Sequence, residues 1–244
     1  MQITTRAIVL HRFRYNDTNS IAHLYSREAG KISCIFPEAK GSRRGGRLSS
    51  LISPPIELEF VTDIRRHNDL CRLSQVQVIN PMPLLRMDPV KQSISLFVCE
   101  LLHRILGGLP SEANLYDFIA ASLSFLDSTE KSAANFHLCF LLRLLDFLGF
   151  SPDILSSPIS DGPIFFDLKE SCYSLSHPAG PSIPPRRRSA LVLFARISYA
   201  NMHLFQYSRN ERREILEYLL AYYRLHLPPF GELRTLSILS ELFN

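Results

Sequence analysis

Between Glu38 and Arg47 the chain reads Glu-Ala-Lys-Gly-Ser-Arg-Arg-Gly-Gly-Arg, with four cations (Lys40, Arg43, Arg44 and Arg47) interleaved with three glycines. Glycines let a backbone follow an irregular anion, and Lys and Arg supply phosphate contacts, so the chemistry offered is polyanion binding rather than bond making. Two further stretches carry the same chemistry. One is Arg12, Arg14 and Tyr15, just after the first apolar run; the other is Arg65 with Arg66. Lys31 opens the apolar run that leads into the basic segment. Phe13, Tyr15 and Tyr25 lie among these cations, and such a mixture suits non-specific binding of a single strand, because every base has a face to stack. Phe13 fits a core position equally well, and a Gly/Arg segment also fits a solvated loop. The candidate DNA contacts are Arg12, Arg14, Tyr15, Lys31, Lys40, Arg43, Arg44, Arg47, Arg65 and Arg66.

A second basic run, Arg186-Arg187-Arg188, follows two prolines and opens a segment patterned as a helix over 187–199. Positive charge at that end opposes the helix dipole, which asks for a reason. An acidic partner or nucleic acid is one reading, and a solvated loop edge is the other. Arg209, Arg212 and Arg213 stand at the start of a later helical pattern. Free backbone N–H groups at helix starts favour anions. The two clusters therefore make a candidate surface for an acidic peptide, with Leu191 as an apolar neighbour.

Catalytic signatures are missing from this sequence: it has no P-loop, GxGxxG, GxSxG or HExxH. The eight histidines are scattered, and no two stand at ligand spacing on one element. Glu57 and Glu59 share one face of a predicted strand, opposite Ile56, Leu58 and Phe60, and are expected on a solvated outer face. Five cysteines stand singly at 34, 71, 99, 139 and 172, which speaks against both a disulfide framework and a cysteine zinc module. No enzyme activity, cofactor or metal site is expected. Stoichiometric zinc would require isolated cysteines and histidines to meet in space.

The elements that must position these groups change character near residue 80. Before it, short runs over 5–13, 20–25, 31–36, 56–60 and 70–79 read as five strands, a small antiparallel barrel. Gly30 lies in a hairpin connection where a positive φ is available. Asn80-Pro-Met-Pro83 marks a boundary. Beyond it the apolar period is helical: a helix through Ile94–Ile105 stopped by Gly107-Gly108, one over 111–126 with a Ser cap, a buried one over 133–148, then 187–199, 211–225 and 235–243. Residues 149–185 read as a proline-rich excursion with one hairpin near Pro163–Asp167. The expected domains are 1–80 and 81–244.

With 244 residues, 46% apolar and 20% charged, the chain has enough sequence for a sizeable core and a composition far from that of disordered chains. Its net charge of +4 is unevenly placed: residues 1–80 hold twelve Lys/Arg against seven Asp/Glu, and the remainder is nearly balanced. Polyanion binding is thus expected of the first third. The most apolar stretch, Phe136–Phe150, is interrupted by Arg143 and Asp146 and is too short to span a bilayer. The first ten residues offer only Ala7–Leu10 as an apolar core, too little for a signal peptide, so a cytoplasmic protein without membrane association is expected.

Taken in order, Thr5-Arg-Ala-Ile-Val-Leu10, Arg14-Tyr-Asn-Asp17, Leu24-Tyr-Ser-Arg-Glu-Ala-Gly-Lys31, Lys40-Gly-Ser-Arg-Arg44 and Pro55-Ile-Glu-Leu-Glu59 resemble the N-terminal domain of the RecO family of bacterial recombination mediators. The resemblance implies an α+β protein, an OB-fold β-barrel followed by an all-helical C-terminal domain. It implies binding of single- and double-stranded DNA, strand annealing, and work with RecR and the acidic C-terminal tail of single-stranded DNA-binding protein to load RecA in DNA repair, in the cytoplasm at the nucleoid. Some RecO proteins carry a four-cysteine zinc module in the helical domain. Here only Cys172 lies within 149–180, so that module is expected to be absent. The competing reading is an OB-fold adaptor that binds acidic peptides and has no DNA activity.

Overall fold

The computed structural model describes residues 2–38, 49, 51–63, 70–154, 163–187 and 196–242. The chain forms two compact units, one of residues 1–129 with 231–242 and the other of residues 130–230. The change of period at residue 80 lies inside the first.

The first unit is built on a curled sheet of six strands: β1 (Gln2–Arg14), β2 (Asn19–Ser26), β3 (Gly30–Pro37), β4 (Glu57–Asp63), β5 (Leu70–Arg72) and β6 (Ser74–Asn80), in the order β5-β3-β2-β1-β4-β6. The run 70–79, expected as one strand, is two. Only Leu73 separates β5 from β6, yet they pair with opposite edges of the sheet, β5 beside β3 and β6 beside β4. That is possible only if the sheet curls until its edges approach. The β3–β5 pairing is parallel, which corrects the expectation of a wholly antiparallel sheet. Ala7, Val9, Leu24, Cys34, Phe36, Leu58 and Phe60 fill the concave side.

Against the other face runs α2 (Pro89–Ile105), preceded by the short α1 (Pro83–Met87) and followed by α3 (Ala113–Ser128). Asp88 caps α2 by accepting from Val90 N and Lys91 N, with Pro89 in the first turn where its missing N–H costs nothing. The cap expected at Ser111 for the next helix is not used: α3 starts at Ala113 with Glu112 before it and no side-chain cap bond. The last helix, α6 (Thr235–Leu242), returns to this unit. Its first turn is capped from α2, where the Glu100 carboxylate accepts from Arg234 N (3.0 Å), Thr235 N (2.8 Å) and Thr235 Oγ1 (2.6 Å).

In the second unit α4 (Phe136–Leu148), buried over most of its surface and ended by Gly149 in the left-handed region, pairs with α5 (Arg209–His226), whose Tyr223 hydroxyl donates to Leu141 O at 2.8 Å. Ser208 and Glu211 form a reciprocal capping box at the start of α5. The proline-rich excursion holds a three-stranded sheet, β7 (Phe165–Asp167), β8 (Cys172–Ser174) and β9 (Ser182–Ile183), rather than a bare hairpin. Residues 185–187 form a single 3₁₀ turn, and the helix expected over 187–199 falls mostly outside the described residues. Among the described residues no helix is long and apolar enough to cross a membrane.

Candidate nucleic-acid interface

The loop joining β1 to β2 is organised by Asn16, whose Oδ1 accepts from the backbone N–H groups of Thr18 (3.0 Å) and Asn19 (2.8 Å). Within β1 the register against β2 shifts between Val9 and His11, a bulge at Leu10. This resets the alternation. Ala7 and Val9 face the concave core, but beyond the bulge it is Arg12 that turns toward it, lying 5.3 Å from the Phe36 ring centre. His11 and Phe13 are thereby placed on the convex face.

There they meet two other histidines. His23 is the cross-strand partner of His11, and His103 comes from the last turn of α2. The rings form a ladder, with centroids 5.7 Å apart for Phe13–His23, 4.6 Å for His23–His103 and 5.0 Å for His103–His11. Ser33, opposite His23 on β3, places its Oγ 2.8 Å from His23 Nδ1. Burial lowers the pKa of all three imidazoles, His23 to about 4 and His103 to about 3, with Lys31 the next cause for both; His11 is lowered by burial and then by Arg104. The ladder is therefore neutral at pH 7, an aromatic platform rimmed by Lys31, Arg104 and Arg234, with Glu100 as the acidic neighbour.

The candidate DNA contacts separate into groups. Arg14 and Tyr15 lie exposed at the end of β1; Arg14 is held by Asp17 Oδ1 at 2.6 Å and by Asn16 O, and Tyr15 is 60% exposed. Phe13, also open to a core reading, is 40% exposed and stands at the edge of the ladder. Lys31 is half-buried, its ammonium bonded to His103 O, and burial lowers its pKa. Arg12 is a structural side chain: its guanidinium donates to Ser49 O, Ile52 O (3.1 Å), Ser49 Oγ (2.7 Å) and Glu38 Oε1 (2.7 Å). Lys40, Arg43, Arg44, Arg47, Arg65 and Arg66 lie outside the described residues. Glu38, which leads into the basic segment, is described and is anchored by Arg12 and Ser20.

Glu57 corrects the sequence reading. It is buried rather than solvated, because α3 covers that end of the convex face and the Tyr116 hydroxyl donates to Glu57 Oε1 at 2.7 Å. Glu59 does face outward, 3.4 Å from Arg6 Nε.

In the second unit the two basic clusters are brought together. Arg187 forms a two-pronged pair with Glu214 of α5, at 2.8 and 2.7 Å, which sets exposed Arg186 beside that helix. Arg213 is paired with Glu217, one turn along α5. Arg212 turns inward and donates to Tyr207 O at 2.6 Å. Arg209 is exposed in the first turn of α5; Arg188 and Leu191 lie outside the described residues. Cys172 is exposed and free.

Residues 1–82 match the family model "Recombination protein O N terminal", and residues 86–234 match "Recombination protein O C terminal". The chain belongs to the RecO family. It is 45% identical over 246 residues to the DNA repair protein RecO of Porphyromonas gingivalis, with both chains covered in full. It is 36% identical to that of Phocaeicola vulgatus and 34% identical to that of Bacteroides fragilis, with 98% of each chain covered. In this RecO-family chain the histidine ladder and Arg104 were not anticipated as site residues. One signal for the ladder was available: reflecting the hairpin about Asp17 sets His11 opposite His23. No sequence pattern brings in His103.

Proposed function

We propose that this protein is a DNA-binding recombination mediator, whose N-terminal sheet works as an OB-fold and whose action is physical rather than catalytic. The observation that carries the reading is the edge of the convex face, where exposed Phe13, Tyr15 and Arg14 adjoin a neutral ring ladder rimmed by Lys31 and Arg104. Bases stack on exposed rings, and cations neutralise the phosphates between them. Lys40, Arg43, Arg44, Arg47, Arg65 and Arg66 add positive charge to the same third of the sequence. Neutralising two strands at once lowers the repulsion that opposes pairing, so strand annealing follows from the same surface.

In this reading the protein binds single- and double-stranded DNA, acts with RecR, and engages the acidic C-terminal tail of single-stranded DNA-binding protein through Arg186 and Arg209, so that RecA loads onto the strand. Its place is the cytoplasm, at the nucleoid. The parallel β3–β5 pairing and the edge-to-edge curl support the OB-fold assignment.

The test is a salt titration of binding to a fluorescent single strand, with and without magnesium. A steep loss of affinity with salt, with the strand uncleaved, is the expected result. Weak binding that does not depend on strand length favours the peptide-binding adaptor, and cleavage overturns the non-catalytic reading.

A further inference from the structure

His11, His23 and His103 stand on three different elements, and one ligand nitrogen from each lies within 4.8 Å of the other two. A tetrahedral ion with bonds of about 2.0–2.1 Å to nitrogen sets its ligand atoms roughly 3.3 Å apart. The rings now stack, 13° to 29° from parallel, so closing from 4.8 Å also asks each imidazole to turn about χ2, a broad torsion for histidine, until the three lone pairs converge. The backbone is already in place. His11 and His23 are fixed by the strand register, and α2 is tied to the sheet through Lys31, whose ammonium bonds to His103 O.

Two observations separate this cluster from a chance meeting of surface histidines. The His23 Nδ1 is matched to Ser33 Oγ at 2.8 Å; when Nδ1–H donates there, the lone pair sits on Nε2, as metal-ligating histidines are usually held by a second partner. The His103 Nδ1 is buried and has no hydrogen-bond partner among the described residues, an uncommon state for a polar atom.

We propose that His11, His23 and His103 form a binding site for a late first-row divalent cation, Zn2+ foremost, with three imidazole ligands and a fourth position left to water or to an oxygen of a bound anion. Three nitrogen donors without a carboxylate select zinc, cobalt, nickel or copper over magnesium and calcium. The cations nearby, Lys31 and Arg104, oppose the ion, while Glu100 and the C-terminal end of α2 favour it. The site is unrelated to a four-cysteine module, since no cysteine belongs to the cluster.

The experiment is titration of the untagged full chain with Zn2+ by calorimetry, and with Co2+ by absorption. One equivalent is expected to bind, with ligand-field bands of nitrogen-bound Co2+ and no thiolate charge-transfer band. His11→Asn, at an exposed position, and His23→Gln should each weaken binding at least tenfold, with circular dichroism unchanged. His177→Asn, far along the chain, should leave it as in the wild type. Absence of a stoichiometric event, a thiolate band, or affinity unchanged in both His11→Asn and His23→Gln overturns the proposal. DNA binding is measured separately, so loss of the metal site and loss of the DNA function are told apart.

Discussion

The Tyr116 hydroxyl of α3 donates to the Glu57 carboxylate of β4 at 2.7 Å, and both side chains are buried. This bond ties a helix to the sheet across a face that the strand pattern marks as solvated. The carboxylate raises the Tyr116 pKa further, beyond the effect of burial itself, because it disfavours a second negative charge beside it. Tyr116→Phe is expected to destabilise the protein by about 1–3 kcal/mol, since Glu57 loses its donor without leaving its buried place. Urea unfolding of variant and wild type measures it.

Arg12 belongs to the fold. Arg12→Ala removes donors from Ser49 O, Ile52 O and Glu38 together, and a loss of roughly 2–4 kcal/mol is expected. The salt dependence of DNA binding by the variant, measured below its unfolding temperature, should match wild type. A slope lowered by about 0.7 would instead make Arg12 a phosphate ligand.

Stacking and charge are separable on the proposed interface. Phe13→Ala with Tyr15→Ala should weaken single-strand binding by roughly 1–3 kcal/mol per stacked base and leave the salt slope in place. Replacing Lys40, Arg43, Arg44 and Arg47 by Ala should do the opposite, lowering the logarithmic slope by roughly 0.7 for each phosphate that is no longer neutralised. Both are read from the same fluorescence titration at several salt concentrations.

Acid should destabilise the chain well above the carboxylate range. Burial holds His23 at about 4, His103 at about 3 and His137 at about 3, all below the ordinary 6.5; beyond burial, Arg212 acts on His137 and Lys31 on the other two. As pH falls through about 6.5 the unfolded chain takes up these protons first. Stability is therefore complete above about pH 6.5 and is lost on the way down to 3–4. For His137, in the second unit, the loss is on the order of a few kcal/mol. Urea midpoints between about pH 7.5 and 5 check it, and a His137→Gln variant should show a flatter profile.

The acidic-tail surface yields a graded expectation. Arg186→Glu in the full chain should weaken binding of an acidic, Phe-terminated peptide about tenfold by calorimetry without changing the unfolding midpoint, since Arg186 is exposed. Arg187→Glu sets like charges against each other at Glu214 and should lower the midpoint as well.

Local pattern determined much of this protein. The alternation at 31–36 and 56–60, the change of period near 80, the positive-φ glycine at 30 and the family's motifs are all carried by neighbours in the chain, so strands, helices and family were legible from sequence. So was the basic character of the first third. Long-range packing decided the rest. The division of 70–79 into β5 and β6 arises because each half satisfies its hydrogen bonds on a different sheet edge. Glu57 is buried because α3, more than fifty residues away in the chain, lies over it. The bulge at Leu10 exchanged the faces of His11 and Arg12, making one a surface ring and the other a half-buried anchor. Most of all, His11, His23 and His103 look scattered along the chain. Strand register brings the first two together, and only the packing of α2 on the convex face adds the third.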